Sequence, residues 1–574
     1  MHKERKSFSK EALLSRVKNI FVEKVKDQSV RSSKYSLSDC LMSGVAIFSL
    51  KYASLLKFEE SFKKDGPVTK NLKNLFAIKD VPSDTQFRER LDVVDYEELQ
   101  PAFDSLLYDL QRGKVLEDFQ YLSGTYLAAI DGTGYFASES VHCINCCTQL
   151  NQKTGEVKQF LHSMLSVVLV HPDHKCVFPL SLEPINKNDG SSKNDCEINA
   201  AKRLLPKLKA AHPFLKLTIT LDALYATGPM IELINELGYE YIIVAKDMKY
   251  LQQHIGAKNT ESLKINRGST VKTYQYSKGV PLNSIYPNKL VNYIEYTEFV
   301  PDNTKKTNFI VYPDVFSLSN NLKEYKALAV INKDGQVYAH PRAELATIIY
   351  CADFNANHNT IAEELKFDSE LSQALSLEFD TDKDLYKVWY NMQNKCAAVK
   401  NPQRSSYRYG RGDVLVVYDN SLKESTELLL PKLRLIFRQH KHVGYYNTWI
   451  TELALNKGNI EYLERGGRSK WHIENQTFNT LKNQGYNFGH NFGHGCKYLS
   501  ITMCYLMFIA FEIDQIQEHC SYYFKKLKEA LRAKIYIWEE IRGAFFNVVF
   551  NDWSELYEHV LGNNGVLLTS CNTS

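Results

Sequence analysis

The spacing of apolar positions changes character twice along the chain. Met42, Val45, Phe48 and Tyr52 recur at helical intervals behind Ser36-Leu-Ser-Asp39, a stretch that can cap a helix. Val81-Pro-Ser-Asp-Thr-Gln86 breaks the pattern at its proline and restarts it, with Ser83 or Asp84 as the next cap. Residues 96–119 return to helical spacing, so 1–120 is read as a helical region. From about residue 123 the period shortens. Residues 126–131, 163–170, 176–182, 217–222 and 241–245 read as strands. Their β-branched runs lack polar alternation, which suits strands covered on both faces. Helices are expected over 199–211, with Ala200, Leu204, Leu205 and Leu208 on one face, and over 229–238, with Pro229 in its first turn and Gly238 at its end. Strands and helices in this order predict a mixed α/β sheet.

A second change comes at about 247. Strands are expected over 291–300, 309–312, 327–331, 336–338, 413–418 and 445–453, with Asn332-Lys-Asp-Gly335 as a hairpin turn and helices between 340 and 400. This reads as an inserted β-rich domain with a helical portion. Gly466-Gly-Arg468 should break the chain after it, and a helix should begin near Ser469. At about 100° per residue, Lys470, Glu474, Phe478 and Lys482 then share one stripe. A glycine-rich loop follows, from Gly485 to Gly495, and then an apolar helix over 498–512.

At 574 residues the chain exceeds one core, and two to four domains are expected. Hydrophobic content of 44% and charge of 24% are those of a soluble globular protein. A net charge of +4 says little about partners, but residues 1–75 hold about 16 Lys/Arg against about 8 Asp/Glu. That surplus suits a phosphate-rich partner or a solvated helical surface. No apolar run follows Met1-His-Lys-Glu-Arg-Lys6, so no signal peptide is expected. The longest apolar stretch, 498–511, is short for a membrane span and reads as a core helix. Twelve cysteines without a secretory signal read as reduced thiols in a cytosol.

The candidate chemistry starts from two strands that end in aspartate. Tyr126-Leu-Ala-Ala-Ile runs into Asp131 and then Gly-Thr-Gly134; Leu217-Thr-Ile-Thr-Leu runs into Asp222. An isolated carboxylate at the end of a buried strand is costly unless a cation sits on it. Glu474 adds a third carboxylate, flanked by Lys470 and Lys482, which would hold phosphates. Such an oxygen-rich set selects Mg²⁺ or Mn²⁺ over zinc, and two ions there would serve phosphoryl transfer. No Walker-type phosphate loop competes for the role. His142-Cys143-x2-Cys146-Cys147 has zinc-like spacing with only His162 nearby, and reduced cysteines in a hairpin are the plainer reading. His490 and His494 flank glycines, as phosphate contacts or as turn and capping residues. Asp195 and Glu197 are accounted for by capping the helix over 198–211.

At these residues the chain resembles a bacterial insertion-sequence transposase of the DDE class, in the group with a ribonuclease-H-like core and a β-rich insertion before the glutamate. The matching stretches are Ile130-Asp-Gly-Thr133, Lys193-Asn-Asp-Cys-Glu197, Leu221-Asp-Ala-Leu-Tyr225, and Trp471-His-Ile-Glu-Asn475 with Thr480-Leu-Lys-Asn-Gln-Gly485. They cover about 75–255 and 440–515; residues 300–440 match nothing placed. The resemblance implies Asp131, Asp222 and Glu474 as catalytic ligands of two Mg²⁺ (Mn²⁺ as substitute). It implies a helical DNA-binding region over 1–120, a core over 121–247 and 463–520, an insertion over 248–462 and a helical C-terminal region over 521–574. The family's glutamate usually sits in Tyr-x2-Arg-x3-Glu-x6-Lys. Here Gly467 and Lys470 stand at the first two positions and Lys482 falls one place late. Lysine lacks the bidentate grip of arginine, which leaves the terminal phosphate open among Lys470, Arg465 and Arg468. Related enzymes stack a flipped base on an insertion-domain aromatic, a role Trp449 or a core role would fill; Tyr407-Arg408-Tyr-Gly-Arg411 suits a DNA backbone or an exposed hairpin. The implied function is cut-and-paste transposition. Its partners would be double-stranded DNA with inverted-repeat ends and target DNA, handled by a homodimer in the bacterial cytoplasm, at the nucleoid, with no membrane. The competing readings are a silent, domesticated DNA-binding protein and a stand-alone metal nuclease.

Overall fold

The computed structural model describes residues 6–28, 34–63, 66–151, 153–187, 195–245, 251, 260–267, 270–300 and 442–565, with four short strands between 329 and 418. The 309–312 strand, the 332–335 turn, the 340–400 helices, Tyr407, Arg408 and Arg411 lie outside the described residues.

The strands are β1 (Tyr126–Ser138), β2 (Cys147–Leu150), β3 (Val157–His171), β4 (His174–Ile185), β5 (Leu217–Leu221), β6 (Glu240–Val244), β7 (Glu261–Arg267), β8 (Thr270–Pro281) and β9 (Leu290–Val300). After them come β10 (Ala329–Ile331), β11 (Val337–Ala339), β12 (Ala346–Ile349), β13 (Leu415–Tyr418) and β14 (His442–Thr451). One mixed sheet of ten strands runs β2-β3-β1-β5-β6-β14-β9-β8-β7, with β4 also paired to β3. By contacts the chain divides into two units, residues 1–262, 274–295 and 447–574 in one and 263–273 with 296–446 in the other. The second unit contains the four-stranded order β11-β10-β13-β12.

In the first unit β1 is antiparallel to β3 and β3 to β4, while β1, β5 and β6 run parallel. Parallel neighbours need a crossover, and the helix Gly228–Glu236 makes it between β5 and β6. The helix Glu197–Ala211 lies between β4 and β5. This arrangement is compatible with a ribonuclease-H-like mixed-sheet core. All five residues of β5 are buried, as a strand covered on both faces requires.

The expected helices of the N-terminal region are present. Ser36 accepts a hydrogen bond from the Asp39 N–H and Ser83 one from the Gln86 N–H, so both caps act as the sequence suggests. These helices pack around Leu499–Cys520, a 22-residue helix. It is long and apolar enough to cross a membrane, yet its apolar window is wholly buried in the protein. Leu37–Ser49 approaches it so closely that a Cβ on Gly44 would lie 2.5 Å from Leu506 Cδ1. The basic surplus of this region is partly internal. Lys10 and Lys51 are buried against Asp514, at 3.2 and 2.7 Å.

Two sequence expectations need correction. β1 does not end at Asp131 but continues to Ser138, with a bulge between Gly134 and Phe136. Gly466 and Gly467 do not break the chain, because the helix Ile460–Arg468 runs through them. Their lack of a side chain serves packing: a Cβ would lie 2.3 Å from Tyr121 Oη at Gly466 and 2.5 Å from Trp449 Nε1 at Gly467.

Glu512 is fully buried in the long helix, and neither carboxylate oxygen meets a hydrogen-bond partner among the described residues. Burial, with Asp104 adding repulsion, pushes its carboxyl well above the usual range. The folded chain therefore keeps a proton that the unfolded chain releases once pH exceeds the ordinary glutamate value. Stability falls with rising pH from there upward, by up to about 1.4 kcal/mol per pH unit. Glu512→Gln is expected to remove this slope. Urea midpoints should be close to wild type at acid pH and higher than wild type at pH about 8; an unchanged slope would show that Glu512 is ionised in the fold.

A candidate carboxylate centre

Asp131 lies on β1 between Ile130 and Gly132, opposite Ser166 of β3. Asp222 follows the last residue of β5 and accepts the Leu224 N–H at 2.8 Å. The parallel register pairs Ala129 with Thr220. Asp131 lies two residues beyond Ala129 on β1, and Asp222 two residues beyond Thr220, just past the end of β5; both carboxylates act on the Tyr225 phenol. Asp131 is 9% exposed and Asp222 half-buried.

Glu474 arrives from the other half of the chain. It sits in a π-helical turn, Ile473–Phe478, in which the Asn479 N–H bonds the Glu474 carbonyl five residues back. The wide turn rephases the stripe read from the sequence. Phe478 turns into the core while the Glu474 side chain stays 48% exposed. Lys470, one turn earlier, is buried and reaches both carboxylates, with Nζ 3.1 Å from Asp131 Oδ2 and 3.0 Å from Glu474 Oε1. Burial opposes the lysine's charge, but Asp131 and Glu474 hold it above the ordinary lysine value. Burial pushes the Asp131 carboxyl up to about 6; Lys470 pulls against this, and Glu474 and Glu197 add to it.

Glu197 is the residue that sequence reasoning set aside as a cap. As the first residue of its helix it reaches Gly132, where a Cβ would lie 2.5 Å from Glu197 Oε1. That approach is what the glycine after Asp131 makes room for. Tyr225 donates to Glu197 Oε2 at 3.4 Å. Burial and the neighbouring Asp222 raise the Glu197 carboxyl above its usual range. Burial and then Glu197 raise the Tyr225 phenol, which keeps its proton and its donor role. The available signal was local: Glu197 closes the Lys193–Glu197 stretch that carries the resemblance.

The remaining expected residues divide. Lys482 Nζ lies 3.3 Å from Thr133 Oγ1, next to Gly132 on β1. Arg465 pairs with Asp173, and Arg468 with Glu464 at 3.3 Å. Trp449 is fully buried on β14, with Gly467 against its ring. A ring packed this way offers no face to a base, so Trp449 is a core tryptophan in this structure. Asp131 and Glu474 thus meet on one lysine ammonium, with Glu197 in its field and Asp222 beside Glu197. The position between Asp131 and Glu474 already holds a cation, and an oxygen donor set of this kind fits a hard divalent ion.

No protein-family model matches the chain, and no curated protein matches it in sequence. Among solved structures it is similar to a piggyBac transposase synaptic complex with hairpin DNA, at 12% identity and a TM-score of 0.21. The likeness covers 47% of this chain, which spans about half of that protein's length, 56%. A likeness at that level decides nothing about chemistry.

Proposed function

We propose that this protein is a DDE-type DNA transposase, which cuts phosphodiesters at inverted-repeat ends and joins the freed 3′-hydroxyl to DNA. The observation that supports this reading is the buried Lys470 ammonium shared by Asp131 and Glu474, with Glu197 close enough to act on Asp131 and Asp222 close enough to act on Glu197. Asp131, Asp222 and Glu474 would hold Mg²⁺, with Mn²⁺ as a substitute, and Glu197 is a fourth carboxylate within their field. Two such ions, when bound, supply Lewis-acid stabilisation of the attacking and leaving oxygens.

The chain's own residues supply the rest. Exposed Glu474 and half-buried Asp222 give the cluster an open side toward substrate. Lys470 is charged and held by the same carboxylates. Once another cation takes them, its ammonium is available to a DNA phosphate as a point charge. Lys482, at the rim beside Thr133, offers a second phosphate contact. Water adds to phosphorus and the 3′-oxygen leaves with a proton; that 3′-hydroxyl then adds to a second phosphodiester, with the displaced 3′-oxygen as leaving group. Binding to inverted-repeat ends, a dimer at synapsis, and the roles of residues 1–120 and the insertion belong to the same proposal.

The test is cleavage and strand transfer on DNA carrying the element's own ends, beside a scrambled-end DNA, with wild type and Glu474→Gln in Mg²⁺. Wild type is expected to cut at the matched ends only. Glu474→Gln should bind the same DNA and lose more than about 100-fold in cleavage rate, beyond the loss typical of groups that merely support a metal ligand. Equal cutting of matched and scrambled ends would make the protein a stand-alone nuclease. Binding without cutting by wild type, in Mg²⁺ and in Mn²⁺, would overturn the enzymatic reading.

A further inference from the structure

Away from the carboxylates, a second cluster has the opposite ligand chemistry. Cys143 and Cys146 lie in the loop between β1 and β2, His162 is on β3, and His494 comes from the glycine-rich loop that follows the Glu474 helix. One ligand atom from each lies within 4.8 Å of all the others. Cys143 Sγ is 3.9 Å from Cys146 Sγ and 3.3 Å from His162 Nε2. Cys146 Sγ is 3.4 Å from His162 Nε2 and 3.2 Å from His494 Nε2. All four side chains are buried, at 9%, 2%, 1% and 6% exposure in chain order.

We propose that Cys143, Cys146, His162 and His494 form a structural, tetrahedral Zn²⁺ site. With Zn–S near 2.3 Å and Zn–N near 2.0–2.1 Å, a regular tetrahedron sets sulfurs about 3.8 Å apart and sulfur about 3.5 Å from nitrogen. The observed separations match that frame to within a few tenths of an ångström. Two thiolates and two imidazoles are the donor set that tetrahedral zinc takes, in contrast to the oxygen set around Asp131. Four protein ligands leave no open position, which marks a structural rather than a catalytic ion.

The sequence suggested a different membership. His142 is exposed, stacks on Phe160 at 4.3 Å and places Nδ1 3.0 Å from the Ser140 carbonyl. The Cys147 thiol donates to the Ile185 carbonyl at 3.4 Å. Both residues next to the Cys-x2-Cys pair therefore face elsewhere. The fourth ligand comes from a position 348 residues beyond Cys146, a separation that no spacing rule spans. Aromatic rings wall the site: Tyr135 stacks on His162 at 5.7 Å and Phe136 lies 4.3 Å from His494. Asn145 Nδ2 donates to the Lys497 carbonyl at 2.7 Å across the same junction. The ion would pin the loop after the Glu474 helix to the strands that carry Asp131. Its place in the fold gives it a purpose whatever reaction the carboxylates perform.

The experiment is metal analysis of the full chain, purified under reducing conditions and dialysed against excess Mg²⁺ to clear the carboxylates. One zinc per chain is expected. Exchange for Co²⁺ should give visible bands of tetrahedral cobalt together with a thiolate-to-cobalt charge-transfer band, which an oxygen site lacks. Cys146→Ser and His494→Ala should lose the zinc; Cys147→Ser should keep it. His494→Cys should keep zinc and strengthen the charge-transfer band, a readout that does not depend on a variant with a lost ligand folding. Wild type without zinc and without the cobalt–thiolate band, equal zinc loss in Cys147→Ser, or a Cys143–Cys146 disulfide in the reduced preparation would each overturn the proposal. None of these results depends on whether the chain cuts DNA.

Discussion

Asp514→Ala is expected to cost about 3–5 kcal/mol of stability, the range for removing one partner of a buried charge cluster. Asp514 Oδ1 meets Lys10 Nζ at 3.2 Å, and Oδ2 meets Lys51 Nζ at 2.7 Å and the Tyr486 hydroxyl at 2.7 Å. Neither lysine has water to turn to, at 1% and 5% exposure. The aromatic faces around them help: Lys51 Nζ sits 3.3 Å from the Tyr486 ring centre and Lys10 Nζ 4.3 Å from that of Trp553. They are no substitute for a carboxylate. Burial opposes the Asp514 charge, yet Lys51 and Lys10 hold its carboxyl below the usual range. Burial drags the Lys51 ammonium down to about 7 even with Asp514 beside it, and Lys10 and Lys534 push the same way.

The sign of the pH dependence follows from that last shift. A lysine depressed in the fold binds fewer protons than it does unfolded, between about pH 7 and its ordinary value near 10.4, so stability rises with pH across that window. Without Asp514 the Lys51 ammonium loses the neighbour that supports its charge and can escape its burial penalty by deprotonating. The cost of Asp514→Ala should therefore shrink between about pH 6 and pH 9 in urea midpoints. A cost that stays level across that range would mean that the lysines are solvated in the variant.

This cluster also explains a limit of the sequence. Lys10 and Lys51 count toward a basic N-terminal surplus, and composition cannot tell a buried lysine from a DNA-facing one. Their partner lies more than 460 residues away, and only packing of the N-terminal helices on Leu499–Cys520 brings it near. Local information served better. β5 and its terminal aspartate were legible because a short, fully buried strand has one strong pattern. Ser36 and Ser83 were legible as caps because capping acts over three residues. Glu474 was legible as a residue, but not its π-turn, because a stripe at about 100° per residue presumes regular α geometry. Gly466 and Gly467 were misread for a related reason: a glycine admitted by a close neighbour looks the same in sequence as one that ends a helix. Glu197 had a sufficient local role as a cap, so nothing in the sequence demanded a second one. Residues of the insertion proposed for DNA contact, Arg408 and Arg411, lie outside the described part of the chain.

Asp131→Asn is expected to have the largest effect on activity. Glu474 is half exposed and Asp222 half-buried, whereas Asp131 is 9% exposed at the centre of the cluster and touches Lys470 directly. Asparagine keeps the shape and removes the charge, so the fold and the DNA affinity should survive while end cleavage falls by well over about 100-fold. Glu197→Gln, one position further out, should fall within about 10–100-fold, as supporting groups do. Loss of rate alone would not separate a ligand from a residue that positions Lys470. Asp131→Cys does. A thiolate is a poor ligand for Mg²⁺ and a tolerable one for softer Mn²⁺. If Asp131 holds the ion, the cysteine variant should be silent in Mg²⁺ and regain cleavage in Mn²⁺, while Asp131→Asn regains none. Recovery in neither metal, with Lys470→Ala equally silent, would instead assign Asp131 to orienting the lysine. The ion would then rest on Asp222, Glu197 and Glu474 alone.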